Sequence, residues 1–188
     1  ELKAQSPYAA SKIAADQLAL SYYRSFDLPV KIVRPFNTFG PRQSARAVIP
    51  TIVTQALSKK KIIKIGNLKS KRDFLFVEDL CSAFEKVLKS SKLFGEVVNV
   101  GTNSEVSIKN LIFKISNILN IKLKTLIEVQ RVRPKKSEVE RLRCDNNKLI
   151  KKTGWKQNHN LESGLKKLIS WMKKDNNIKN YKPENYNI

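Results

Sequence analysis

Two cysteines, one histidine and sixteen acidic residues are all that this chain of 188 offers to several common chemistries. Cys81 and Cys144 lie in unrelated contexts without CxxC spacing, and His159 is the one histidine. Together they cannot compose a zinc site of familiar pattern, so no metal is expected. So sparse a cysteine content fits a reducing, cytoplasmic setting better than a disulfide framework. No apolar run approaches the roughly 18 to 20 residues that span a bilayer. The longest stretch, Leu111 to Leu119, is broken by Lys114, Ser116 and Asn117, and no membrane partner is expected. A signal peptide is absent, and the first residue is Glu1 rather than methionine, which leads us to expect that something upstream has been removed.

What the chain has instead is enough apolar material to fold and a large excess of positive charge. Hydrophobic residues make up 41% and aromatics 8%, the content of a packed globular protein rather than a disordered basic tail. Lysine and arginine number 37, giving a net charge of +21, which first suggests nucleic acid or an anionic surface. Most lysines are scattered, and the runs are short: Lys59 to Lys61, Lys135 with Lys136, Lys151 with Lys152, Lys166 with Lys167. None is interleaved with the aromatics that stack single-stranded bases. A solvated, compositionally biased surface explains most of this charge, and no specific nucleic-acid partner is expected. A basic nucleic-acid-binding module stands as the rival from another class, and binding to DNA or RNA that persists at physiological salt would favour it.

Along the chain, helical and strand periods alternate. Ser6 and Pro7 supply a cap and a first-turn proline for a long helix with apolar residues from Ala9 to Phe26. Val30 to Val33 predicts a short buried strand, followed by a breaker-rich loop from Arg34 to Arg46. A helix is expected over Ala47 to Leu57, with Pro50 tolerated in its first turn. Strands follow at Ile62 to Ile65 and Phe74 to Val77, then a helix from Asp79 to about Lys89. Val97 to Val100 is a β-branched strand, and Ser107 caps a helix whose apolar face is Ile108, Leu111, Ile112, Ile115 and Leu119. Strands around Leu126 to Val129 and Leu142 to Cys144 precede helices at Asn146 to Lys152 and Leu161 to Lys173. The polar tail from Asp175 is expected to fray. The pattern predicts an α/β protein: a parallel arrangement over the first hundred residues with a smaller mixed lobe packed onto it.

Tyr8 and Lys12 stand four apart on the first helix, hence on one face one turn apart. A phenol with a pKa near 10 is a poor base unless a cation favours its phenolate, and a lysine one turn away is such a cation. Roughly 0.7 such pairs are expected by chance in a chain with this many tyrosines and lysines, so the pair alone decides nothing. Its company does. Arg34-Pro35-Phe36-Asn37-Thr38-Phe39-Gly40-Pro41-Arg42 directly follows a buried strand, at the edge where parallel sheets bind ligands. Lys71-Arg72-Asp73-Phe74-Leu75-Phe76-Val77-Glu78-Asp79 sets an arginine before a strand-to-helix unit. Arg133-Pro134 and Ser137-Glu138-Val139 then precede Asp145 and Gly154-Trp155. In this order, from Ser6 to about Trp155, the segments resemble the extended short-chain dehydrogenase/reductase superfamily, specifically its NAD-dependent nucleotide-sugar epimerases and dehydratases.

That resemblance implies the C-terminal part of a Rossmann-like doubly wound parallel sheet plus a smaller mixed α/β substrate-binding lobe. Residues 1–105 would be the remaining part of the NAD(P)-binding domain, with substrate segments interleaved at about 37–77. Residues 106–175 would be mostly substrate lobe, and 176–188 a flexible tail. Tyr8 matches the family's catalytic tyrosine and Lys12 the lysine that holds the nicotinamide ribose. Pro35 and Phe36 match the segment against the nicotinamide, and Asn37 an asparagine that meets the sugar-nucleotide phosphates. Val48 and Ile49, within Ala47 to Thr51, match the segment beside the nucleotide. Arg72 matches an arginine that clamps the diphosphate, suited to that task by its bidentate fork. Arg133 matches a second, with Arg131 and Arg141 as alternatives in register.

Each has a plainer reading: Tyr8 and Lys12 as solvated helix residues, Asn37 as a turn residue, Arg72 paired with Asp73 or Glu78, Arg133 on the surface. His159 is expected to be structural or solvent-exposed, and Trp155 and Trp171 to pack in the core. The wording of the Tyr8 helix start, of Gly40 to Arg46 and of Ser137 to Val139 is most like nucleotide-sugar 4,6-dehydratases, including those of the legionaminic-acid type. It implies C4 oxidation by NAD, water elimination across C5 and C6, and hydride return to C6. A 4-epimerase shares the first step, and a degenerate, noncatalytic member is a further reading. A homodimer through the Tyr8 helix is also implied. The chain departs from the family in holding no Gly-rich dinucleotide turn, no acidic adenosine-ribose residue and no catalytic Ser or Thr before the tyrosine. It is therefore expected to be the C-terminal part of a larger enzyme, inactive alone.

Overall fold

The computed structural model describes residues 2–58, 62–132 and 138–181. The elements run α1 (Pro7–Phe26), β1 (Lys31–Pro35), β2 (Asn37–Phe39), α2 (Val48–Leu57), β3 (Ile62–Ile65), β4 (Lys71–Arg72), β5 (Phe74–Phe76) and α3 (Val77–Lys89). They continue through β6 (Glu96–Val100), β7 (Val106–Ser107), α4 (Ile108–Leu119), β8 (Lys124–Ile127), β9 (Arg141–Leu142), α5 (Asn147–Thr153) and α6 (Leu161–Lys173). The alternation of strand and helix expected from the sequence is present, and the strand pairs β1–β6, β2–β5 and β3–β8 are all parallel. β4 lies between β7, antiparallel to it, and β9, parallel to it.

Local chemistry sets the ends of the helices. Ser6 caps α1, its hydroxyl accepting from the Ala9 amide at 3.1 Å, and the helix stops at Asp27 in the left-handed region. Ser107 and Asn160 cap α4 and α6 in the same way. Helix α3 opens at Val77, two residues before the expected Asp79, with Glu78 and Asp79 in its first turn and Lys86 and Lys89 in its last, both matched to its dipole.

Two cores meet at β5. Because side chains alternate across a strand, Phe74 and Phe76 enter one core and Leu75 the other. The first core joins α2, β3, α4 and α6, where Ile52, Val53, Ile63, Leu165 and Leu168 are sealed from solvent. The second joins α3, β6 and α5, with Val98, Leu149 and Trp155 at its centre. Gly164 lets α6 lie on the aromatic rings of the first core, since a Cβ there would stand 2.8 Å from the Phe39 ring and 2.9 Å from that of Phe76.

Three short strands were not expected, β2, β4 and β7. β8 and β9 each begin earlier than their apolar residues suggested, at Lys124 and Arg141. The tail corrects a further expectation. In place of a frayed segment from Asp175, the chain winds into a 3₁₀ helix over Lys174–Asn180. Tyr181 then packs into the first core and donates its hydroxyl to the Gln43 carbonyl at 2.9 Å. Residues 182–188 lie outside the described set. Trp155 is buried with its indole N–H on the Ser82 hydroxyl at 3.0 Å, and Trp171 packs against the first core half-exposed. His159 is structural: its ring lies 5.0 Å from that of Phe76 and bonds to the buried Asp79, whose carboxylate also accepts the amides of Asn158 and His159.

Candidate functional site

A cavity of about 330 Å³ opens where β2, the start of α2, the end of β3 and β4 converge. It gathers four of the residues singled out from the sequence: Asn37, Val48, Ile49 and Arg72. Tyr8, Lys12, Pro35 and Phe36 do not line it. Arg133 lies outside the described residues. Arg131, its alternative in register, lines the cavity, whereas Arg141 is held outside by Glu105.

The floor is apolar, from Phe39, Ile49, Ile65, Phe74 and Ile108. The rim carries three arginines, Arg46, Arg72 and Arg131, with one carboxylate, Glu138. Helix α2 presents its N-terminal end here with no acidic residue in its first turn, so the positive end of its dipole adds to the cationic rim. An apolar floor under a cationic rim suits a ligand with a flat apolar body and an anionic tail.

Each wall is fixed by its own contacts. Asn37 begins β2 and donates its side-chain amide to the Asp73 carbonyl at 3.3 Å. Gly66 ends β3, and a Cβ there would stand 2.2 Å from the Arg131 carbonyl, so only glycine lets the two backbones meet. Arg131 is held by Glu128 at 2.5 Å, and Lys64 reaches the same carboxylate at 2.8 Å. Hydrogen bonds from Arg131 first, and then from Lys64, hold the Glu128 carboxyl down to about 2. Arg72 pairs with neither Asp73 nor Glu78, the two partners its plain reading suggested. It pairs with Glu138 at 2.9 Å, while Glu78 is taken by Lys167.

Asp73, next to Arg72, is fully buried and serves as a hub. One carboxylate oxygen accepts from the Thr102 amide and hydroxyl at 2.9 and 2.7 Å, the other from the Cys144 amide at 3.1 Å. Burial, then Asp73 and Asp145, pushes the Cys144 thiol up to about 12, which leaves it unreactive. Gln43, Arg46, Ser70 and Glu138 were given no role from the sequence, and Arg131 entered only as an alternative to Arg133. The signal for Gly66 was its place directly after a strand; Glu138, 66 residues beyond Arg72, was legible only within the Ser137-Glu138-Val139 segment and without a role.

Tyr8 occupies the first turn of α1, 72% exposed, with the Lys12 amine 5.4 Å from its ring centroid. Pro35 ends β1, and the Phe36 amide bonds to the carbonyl of Val100 at the end of β6. Neither the Tyr8–Lys12 pair nor this strand end lines the cavity. Among the described residues no cluster of His, Cys, Asp or Glu that would hold a metal is present, and no helix is long and apolar enough to cross a membrane.

The family described as GDP-mannose 4,6 dehydratase matches residues 1–168. The chain is 40% identical over 117 residues to a dTDP-D-glucose 4,6-dehydratase of Dictyostelium discoideum, covering 62% of this chain and 27% of that one. The structure of dTDP-glucose 4,6-dehydratase from Bacillus anthracis in complex with NAD superposes with a TM-score of 0.80 at 31% identity, over 92% of this chain and 53% of that chain. A UDP-N-acetylglucosamine 4-epimerase of Methanobrevibacter ruminantium superposes with a TM-score of 0.77 at 29% identity, over 89% of this chain and 53% of that chain. The chain spans between 25% and 50% of the length of the curated relatives it matches.

Proposed function

Since the chain belongs to the GDP-mannose 4,6-dehydratase family, among the NAD-dependent nucleotide-sugar dehydratases and epimerases of the extended short-chain dehydrogenase/reductase superfamily, we propose that it is the C-terminal, substrate-binding part of a nucleotide-sugar 4,6-dehydratase. The observation that carries this reading is the cavity, in which Asn37, Val48, Ile49 and Arg72 meet over an apolar floor beneath a cationic rim. Val48 and Ile49 flank the nucleoside, while Arg72, Arg131 and Arg133 take the diphosphate, with the Asn37 side chain beside it. Guanidinium groups suit phosphate oxygens because their fixed N–H fork bonds two at once.

Residues outside the cavity are assigned to one end of NAD. Tyr8 and Lys12, exposed one turn apart on α1, are assigned to the nicotinamide ribose, with Pro35 and Phe36 for the ring. Residues for the pyrophosphate end are not among the six glycines of this chain. When bound, NAD supplies the hydride acceptor and later the hydride donor. The task of Tyr8 Oη is to take the proton of the sugar C4 hydroxyl as its C–H hydride departs, and Lys12 holds the ribose hydroxyls. The net change would be loss of water across C5 and C6, so the balance is one nucleotide-hexose to one 4-keto-6-deoxy product and one water. The exposed apolar residues of α1, Leu18, Tyr22 and Phe26, support a homodimer through this helix.

Calorimetric titration of the chain with nucleoside diphosphates is expected to show saturable binding that Arg72→Ala strongly weakens. A protein joining this chain to a Gly-rich dinucleotide half, given nucleotide-hexoses and NAD, is expected to release a 4-keto-6-deoxy sugar. The likeness to a 4-epimerase supports a second reading, which a C4 epimer as product would select. Neither product would overturn both.

A further inference from the structure

Ser137-Glu138-Val139 was singled out in the sequence, yet the reading above gives it no task. We propose that Glu138 is a positioning residue for the diphosphate-binding arginine, fixing the guanidinium of Arg72 at the cavity wall before any ligand arrives. This rests on reading the cavity as a nucleoside diphosphate site.

Arginine carries five N–H donors in a rigid plane. In Arg72, Nη1 donates to the carbonyl of Lys71 at 2.8 Å, with a longer approach to that of Glu140 at 3.5 Å, and Nη2 donates to Glu138 Oε1 at 2.9 Å. Glu138 Oε1 is itself anchored, accepting at 2.9 Å from the hydroxyl of Ser70, a residue only 4% exposed. The side chains of the pair are 14% and 15% exposed, so solvent and salt screen them little. Nε has no hydrogen-bond partner among the described residues and is left as a donor for a ligand oxygen.

The carboxylate is delivered by the fold. The segment that follows Glu138 returns as β9 and pairs with β4, setting Arg141 against Lys71 and Leu142 against Arg72. Lys71 also donates its amide to the Glu140 carbonyl at 2.8 Å. Arginine is rich in rotamers, and a guanidinium already held loses little freedom when a phosphate binds. A carboxylate beside it also offsets its charge, which acts in the opposite direction. Positioning predicts that removing Glu138 weakens phosphate binding; competition predicts that it tightens it.

The test uses the 188-residue chain and calorimetry with UDP, dTDP, GDP and CDP, followed by the tightest binder and its parent nucleoside, the latter by NMR titration. Glu138→Gln keeps the shape and drops the charge, and it is expected to weaken the nucleoside diphosphate about tenfold while leaving the nucleoside unchanged. Glu138→Asp should regain part of the loss, and Ser70→Ala, which frees the carboxylate, should cost about threefold. Thermal melting checks the fold of each variant, and Ser70→Ala carries the test should Glu138→Gln not fold. Unchanged or tighter diphosphate binding overturns the proposal, as does an equal loss for nucleoside and diphosphate. If the unaltered chain binds none of the four diphosphates, the reading of the cavity falls, and the proposal with it.

Discussion

The cavity wall and helix α1 are built to opposite plans. Around the cavity, Ile49, Phe39 and Phe74 are buried, and its arginines Arg72 and Arg131 are each paired with a carboxylate. Helix α1 buries Leu20 alone and leaves Leu18 63%, Tyr22 49% and Phe26 74% exposed. The cavity wall is finished by contacts within the described chain. The side that bears Tyr8 has apolar surface without such contacts, of a kind that marks interaction sites. Binding and proton transfer are thus assigned to regions of different completeness, and the difference can be attacked experimentally.

The largest contrast should be in stability. Leu165→Ala opens a void in a sealed position and is expected to cost about 2 to 5 kcal/mol, whereas Leu18→Ala on α1 should stay within about 0.5 kcal/mol. Chemical denaturation of the two variants measures this, and similar losses would erase the distinction. Next is ligand affinity. Arg72→Ala removes charged hydrogen bonds and should weaken nucleoside diphosphate binding by about 2 to 3 kcal/mol, while Tyr8→Phe should leave it untouched. Calorimetry on both decides, and a loss with Tyr8→Phe would merge the two loci.

The smallest effect is one of pH. The Glu128 carboxyl lies near 2 in the fold against an ordinary 4.5. A depressed carboxyl contributes stability that is fully present above its unfolded value and is lost as pH falls through its folded value. The melting temperature should therefore fall between about pH 4.5 and 2 by more in the unaltered chain than in Glu128→Gln. Parallel curves would show that the Arg131 side of the cavity draws nothing from this carboxylate.

Long periodic elements were legible in the sequence because each carries many turns of pattern. Helix α4 showed both its Ser107 cap and its isoleucine face, and α6 runs over the expected residues. β4 and β7 were not legible, since two residues cannot display a period of two. The 3₁₀ segment was masked by its polar composition: Tyr181 is buried because its hydroxyl finds the Gln43 carbonyl, a partner 138 residues away. The site divides in the same way. Arg72, Arg131 and Glu138 were each visible through the resemblance of their local segments, but that Glu138 meets Arg72 and Ser70 depends on a distant part of the chain returning, and no local pattern records a return.

The buried carboxylate of Asp73 joins parts of the chain that are far apart in sequence. Its partners lie 29 residues on at Thr102 and 71 residues on at Cys144, and a buried carboxylate oxygen without a partner is costly. Asp73 therefore ties the strand that carries Arg72 to residues the ribosome adds 29 and 71 positions later. A chain stopped before that cysteine would carry every residue of α2 and β4 yet leave one oxygen of the Asp73 carboxylate without the amide that meets it.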